Sequence, residues 1–195
     1  MKRIILFLTV VIGLNWSVLA QTTSWALDAS HSSVEFTVTH LVISEVTGKF
    51  KKFDVSVQAD KADFTDAKIS FTADVNSIDT DNENRDKHLK SDDFFNAEKF
   101  PQIRFVGKSL RKITDKKYEL IGDLTIRDVT KTITLNVNYG GTVVDPWKNT
   151  KAGFKITGTI NRKDYGLKWN AITEAGGAVV SDEVEIAVKL ELVRK

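Results

Sequence analysis

From Glu183 to Leu192 the chain reads Glu-Val-Glu-Ile-Ala-Val-Lys-Leu-Glu-Leu. Val184, Ile186, Val188, Leu190 and Leu192 fall on one face, and Glu183, Glu185, Lys189 and Glu191 on the other. A period of two marks a strand with one dry face and one wet face. The pattern recurs in Val34-Phe36-Val38-His40, in Phe53-Val55-Val57, in Ile69-Phe71-Ala73-Val75 and in Ile103-Phe105. It continues in Tyr118-Leu120-Gly122-Leu124-Ile126, in Ile133-Leu135-Val137-Tyr139 and in Phe154-Ile156-Gly158-Ile160. That makes about eight strands, antiparallel by their short links. Turn signals stand at Gly140-Gly141, Asp145-Pro146 and Gly176-Gly177. Almost no segment offers an apolar helix to cover the dry faces, so the sheet is expected to close on itself as an up-and-down barrel. A two-sheet sandwich would show nearly the same pattern. A barrel of this strand number is either filled by side chains or holds one small ligand.

The first twenty residues stand apart. Lys2 and Arg3 precede an apolar run from Ile4 to Leu14, and Val18-Leu19-Ala20 supplies small residues before Gln21. This order reads as a secretory signal peptide over residues 1–20, cleaved after Ala20, because the apolar run is shorter than the ~20 residues of a membrane span. The expected product is a periplasmic or secreted domain, residues 21–195, with no membrane span. The chain has no cysteine, so burial alone holds it together. Lys2 and Arg3 also account for the whole excess of 28 basic over 26 acidic residues. The remainder is formally neutral, which argues against a nucleic-acid partner.

One segment breaks the alternation, from Ser77 to Pro101. Thr80 with Glu83 three residues on reads as a capping box, which starts a short helix near Asp81 and carries it to about Lys90. Ser91, followed by Asp92 and Asp93, reads as the cap of a second helical turn. Leu89 is the one strongly apolar residue of the first helix, and Arg85, His88 and Leu89 share a face. Such a helix does not fill a core. The helical segment, about 81–99, is expected across one mouth of the barrel, pinned by Phe94, Phe95 and Phe100.

These pieces, in this order, resemble the YceI-like family of secreted, lipocalin-like barrels over nearly the whole chain after Ala20. The resemblance rests on Asp28-x-x-His31-Ser32 before the Val34–His40 strand and on Gly48-x-Phe50-x-x-Phe53. It is most specific in Ser77-Ile78-x-Thr80-x-Asn82-x-x-Arg85-Asp86-x-His88-Leu89, followed by Asp93-Phe94-Phe95 and Phe100-Pro101-x-Ile103-x-Phe105. Gly122-x-Leu124-Thr125-Ile126, Val129-Thr130-Lys131, Ala152-Gly153-Phe154 and Arg162-x-Asp164-Tyr165-Gly166 complete it. Asp128 departs from the pattern, since the family usually has glycine there. The resemblance implies an apolar barrel that binds a long isoprenoid or similar amphiphilic lipid and has no established catalytic chemistry.

The candidate site residues follow from the alternation and the resemblance together. Phe36, Val38, His40, Phe71, Phe105, Tyr118, Leu135, Phe154 and Ile156 would line the lumen. His31, Arg85, His88, Arg162 and Asp164 would meet the polar end of a ligand. Each has a plainer reading: the rings pack a filled core, and Arg85, Arg162 and Asp164 form structural ion pairs. His31, His40 and His88 are the only histidines and show no metal-ligand spacing, so neither metal nor cofactor is expected. No nucleophile motif is visible, and the carboxylates near Asp86 and Asp93 are explained by capping. An enzyme acting on a lipid or glycan in the same cavity, or a stress-related protein with a filled core, remain the competing classes. A homodimer is compatible with the sequence.

Overall fold

In the computed structural model, residues 22–171 and 179–195 are described. The expected signal peptide, residues 1–20, and the expected turn at Gly176-Gly177 lie outside the described residues. The strands are β1 (Ser24–Leu27), β2 (Ser33–His40), β3 (Ser44–Phe50), β4 (Phe53–Gln58), β5 (Lys68–Asp74) and β6 (Ile78–Asp79). After the helix α1 (Glu83–Lys90) come β7 (Gln102–Lys112), β8 (Lys117–Ile126), β9 (Val129–Val144), β10 (Thr150–Asn161) and β11 (Glu183–Arg194).

These eleven strands make an eight-stranded closed antiparallel barrel. Three of the staves are bent into two strands each. β1 and β2 are one stave interrupted by a 3-10 turn, Ala29–His31, and β3 and β4 are another, interrupted at Lys51 and Lys52. β3 pairs with β2 and β4 with β1. β5 continues into β6, which meets β3 only at Lys49 and Phe50. From β5 onward each long strand pairs with the next. β11 closes the ring by pairing with β2 along Ser33–Thr37 and with β1 along Trp25–Leu27. Apolar residues face inward and charged ones outward, the reverse of a membrane-spanning barrel. No described helix is long and apolar enough to cross a membrane.

Three local expectations are corrected. Gly140 and Gly141 form no turn but sit inside β9, at a bulge opposite Gly153 and Phe154. The turn is at Asp145, whose carboxylate accepts from the amides of Trp147 and Asn149 at 2.9 and 2.8 Å. Thr80 does not cap α1. Asn82 does, accepting from the Arg85 amide at 3.0 Å, while the Thr80 hydroxyl is buried and donates to Asp86 at 2.6 Å. The acceptor side of that hydroxyl is taken by the charged Arg85 Nε–H at 2.8 Å rather than by a helix amide. Ser91 caps no second helix; its hydroxyl and amide both donate to the His88 carbonyl and end α1. Hydrogen-bonded turns carry the chain to Lys99.

One end of the barrel is sealed. Phe64, 2% exposed, enters from the loop between β4 and β5 and packs on Trp25, Tyr139 and Phe154, with centroids 5.0, 5.7 and 5.1 Å away. Tyr139 stacks on Phe154 and meets Tyr118 edge-on. Burial pushes the Tyr118 phenol above its ordinary pKa. Beside this floor, the Lys151 ammonium donates to Asp28 at 3.0 Å and to Glu191 at 2.7 Å, tying the bent first stave to β10 and β11.

Phe64→Ala is expected to cost about 3–5 kcal/mol in denaturant unfolding, because the floor cannot collapse around the void. Phe71→Ala should cost less, since Phe71 is only half-buried and borders open volume. The Asp28 carboxyl is held well below the usual range by the Ser30 hydroxyl, Lys151 and His31. A depressed carboxyl stabilises the fold fully above its unfolded pKa of ~3.9 and loses that contribution as pH falls further. Asp28→Asn should therefore lower the melting temperature at neutral pH, and the gap to wild type should narrow below pH ~4.

Candidate functional site: the lumen and its mouth

Above the aromatic floor the barrel holds a cavity of about 540 Å³. Its walls are apolar side chains from nearly every stave, including Phe36, Phe71, Phe105, Leu135, Ile156 and Val188. Glycines set the shape of the wall. An ideal Cβ on Gly48 would lie 2.4 Å from the Phe36 ring, and one on Gly122 would lie 2.3 Å from the Phe105 ring. The rings therefore lie back against the neighbouring stave and leave the centre open.

The segment from Thr80 to Phe100 lies across the other end. Phe95 meets Phe50 edge-on at 6.2 Å on one side. On the other, His88 and Phe94 pack on Trp169 at 5.1 and 5.4 Å. The His88 ring also lies 2.8 Å from the Asp93 carboxylate. Arg127, in the turn after β8, fastens the strap from outside. Its guanidinium donates to the carbonyls of Asp92, Phe94 and Gly166 and to the Asp92 carboxylate. Arg127 itself has the left-handed backbone of that turn, at φ 56°, and Asp128 does not, so glycine's freedom is not needed at Asp128. Arg162, 3% exposed, fastens the facing segments by donating to the carbonyls of Leu167, Trp169, Ser181 and Val180. Burial lowers its pKa, with Asp182 at 3.5 Å opposing that shift.

The expected site residues divide. Phe36, Val38, His40, Phe71, Phe105, Leu135 and Ile156 line the cavity, and Arg85, His88 and Arg162 border its mouth. Tyr118 and Phe154 do not line it. They belong to the floor, because Phe64 and Tyr139 occupy the space their rings face. His31 and Asp164 do not reach it either. His31 sits beside Asp28 at the surface, 3.1 Å from its carboxylate. Asp164 points outward to Lys131 at 3.5 Å. Arg162 spends its guanidinium on backbone carbonyls, which is a structural task. Arg85 keeps a free edge: Nε and Nη2 donate to the Thr80 hydroxyl and carbonyl at 2.8 and 2.6 Å, and Nη1 has no partner among the described residues.

Sequence reasoning missed Trp169, Arg127 and Phe64. The first two stand in irregular segments with no period to read. Phe64 had a signal, as the lone aromatic in the charged stretch Asp60–Asp66. The sole described cluster with the spacing of three metal ligands is Asp28, His31 and Glu191. Lys151 already supplies its cation. The site thus offers an apolar volume, a guanidinium edge and imidazoles at its rim. One of those imidazoles, His88, is paired with the Asp93 carboxylate.

Comparison with known proteins gives a consistent neighbourhood. A family model described as the YceI-like domain matches residues 25–192. A UPF0312 protein of Staphylococcus aureus strain MSSA476 is 39% identical over 170 residues, 87% of this chain and 96% of that protein. The YCEI protein of Campylobacter jejuni superposes with a TM-score of 0.70 at 33% identity, over 80% of this chain and 90% of its own. A polyisoprenoid binding domain from Saccharophagus degradans, implicated in plant cell wall breakdown, gives 0.65 at 16% identity, over 88% and 98%. That last likeness is one of fold.

Replacing Arg162 by Leu should strand the buried Leu167 carbonyl and three part-buried ones, at ~1–3 kcal/mol for each one left unpaired away from water. Asp164→Asn removes an exposed pair and should change stability by under ~1 kcal/mol. Urea unfolding of the two variants checks the contrast.

Proposed function

The chain belongs to the YceI-like family, and on that premise we propose that it binds and carries one long apolar chain in its lumen, with the polar end at the strapped mouth. The observation that carries this reading is the cavity itself: apolar walls, a sealed floor and an end bordered by polar groups. Its size lies within the ~300–1,000 Å³ of ordinary ligand sites. Burial drives binding at ~0.8 kcal/mol per methylene, so a long hydrocarbon needs few polar contacts. An isoprenoid or similar amphiphile suits this shape, and the polyisoprenoid-binding domain with the same fold makes it the first class to test. Delivery by the expected signal peptide would put the carrier in the periplasm. The reading is of a carrier that releases its ligand unchanged.

In this account the free Nη1 edge of Arg85 meets the oxygen-rich end of the ligand. Thr80 fixes the other edge, so the fork is oriented before the ligand arrives. Titration of a polyprenyl phosphate and a polyprenyl hydrocarbon of equal length tests this. Arg85→Ala should weaken the phosphate by ~1.5–3 kcal/mol, the range of a charge-assisted hydrogen bond, and leave the hydrocarbon nearly unchanged. Equal losses would remove Arg85 from head-group recognition, and failure of both probes to bind wild type would remove the carrier reading.

A further inference from the structure

The β2–β3 hairpin turns through Leu41, Val42 and Ile43, the only run of three exposed apolar residues among the described residues. Val42 is 72% exposed and Ile43 86%. The backbone there is costly. Leu41 and Val42 have φ of 52° and 65°, the left-handed region that disfavours side chains and β-branched ones most. Glycine or asparagine would make the same turn without strain. Strain kept for apolar groups that the fold does not bury points to a use outside the fold.

The tip is held at the mouth. The Leu41 amide donates to the Val179 carbonyl at 2.9 Å, and His40 bridges to Val180. Directly behind it, Val38, His40, Val46, Val179 and Val180 line the cavity. Apart from His40, the lining that adjoins the exposed tip is apolar.

We infer that the Leu41–Ile43 tip docks the barrel on a phospholipid bilayer, entering its interfacial zone so that the ligand moves between bilayer and lumen without crossing water. This rests on the carrier reading above. Three side chains spreading from a hairpin tip cannot supply the ~800 Å² per partner of a stable protein interface, whereas a fluid bilayer closes around them. The flanking residues are His40, Ser44 and Glu45 rather than a basic cluster. Docking is therefore apolar, indifferent to anionic lipid and little changed by salt. A second exposed apolar tip, Val143, Val144 and Trp147, lies at the opposite end behind the aromatic floor, where no path leads inward. It serves as the internal control.

The test uses protein starting at Gln21, since the barrel closes within Ser24–Arg194. Flotation with neutral phosphatidylcholine vesicles is measured, along with transfer of a pyrene-labelled long-chain alcohol from vesicle to protein. Val42→Asn with Ile43→Ser should lose flotation and slow transfer, each by about tenfold or more, which corresponds to ~1.4 kcal/mol. Its melting temperature should hold or rise, because asparagine relieves the turn, and its capacity for the probe in detergent should match wild type. Val143→Ser with Trp147→Ser should float like wild type. The inference is overturned if wild type does not float, if the tip variant floats and transfers like wild type, or if the far-end variant is the one that fails. Tip-dependent flotation without probe uptake would overturn the carrier reading and leave docking standing. Probe uptake without tip dependence would do the reverse.

Discussion

An apolar face on every stave, with no helix among the described residues to cover it, is the constraint from which the rest of this structure follows. Exposed, those faces would aggregate; paired edge to edge around a ring, they face one another. Closure by β11 against the bent first stave removes the free ends of the sheet. Eight staves then enclose more space than their side chains occupy, and two local devices decide what becomes of it. Phe64 and its aromatic partners fill the lower part. Gly48 and Gly122 let large rings lie flat and keep the upper part open.

The mouth is built by a different principle. α1 brings almost no apolar surface, so it is not held by burial as a core helix would be. It is fastened by cations bonded to backbone carbonyls. Arg127 grips the strap and the turn at Gly166, and Arg162 gathers the segments that face it. Such bonds satisfy carbonyls that irregular segments cannot pair among themselves. They also leave the inner side of α1 to Arg85, His88 and Leu89. The strap is thereby fastened while its inner face stays chemically available. Tyr165, whose phenol burial pushes up to about 12, anchors the same corner.

Much of this was legible in the sequence. The staves with large inward residues, such as β8 and β11, announce themselves by alternation. β3 was hidden because one of its inward positions is Gly48, which carries no apolar signal although it makes room for Phe36. β1 was hidden by its length of four residues. Alternation assigns a residue to a face but not to a depth along the barrel axis. Tyr118 and Phe154 therefore read like Phe71, and only the arrival of Phe64 from a loop separates floor from wall. His31 and Asp164 belong to local motifs whose partners, Asp28 and Lys131, draw them to the surface. The strap was placed correctly from its composition. Its cap was not, because the Thr80 hydroxyl accepts from the Arg85 guanidinium in place of a helix amide.

The open volume above the floor is the space that the proposed ligand would fill. Native mass spectrometry of the purified protein tests that claim most directly. The account predicts a population heavier than the polypeptide by one molecule of a long-chain compound, which organic extraction removes. A bare polypeptide of full stability that takes up no long-chain probe would contradict it.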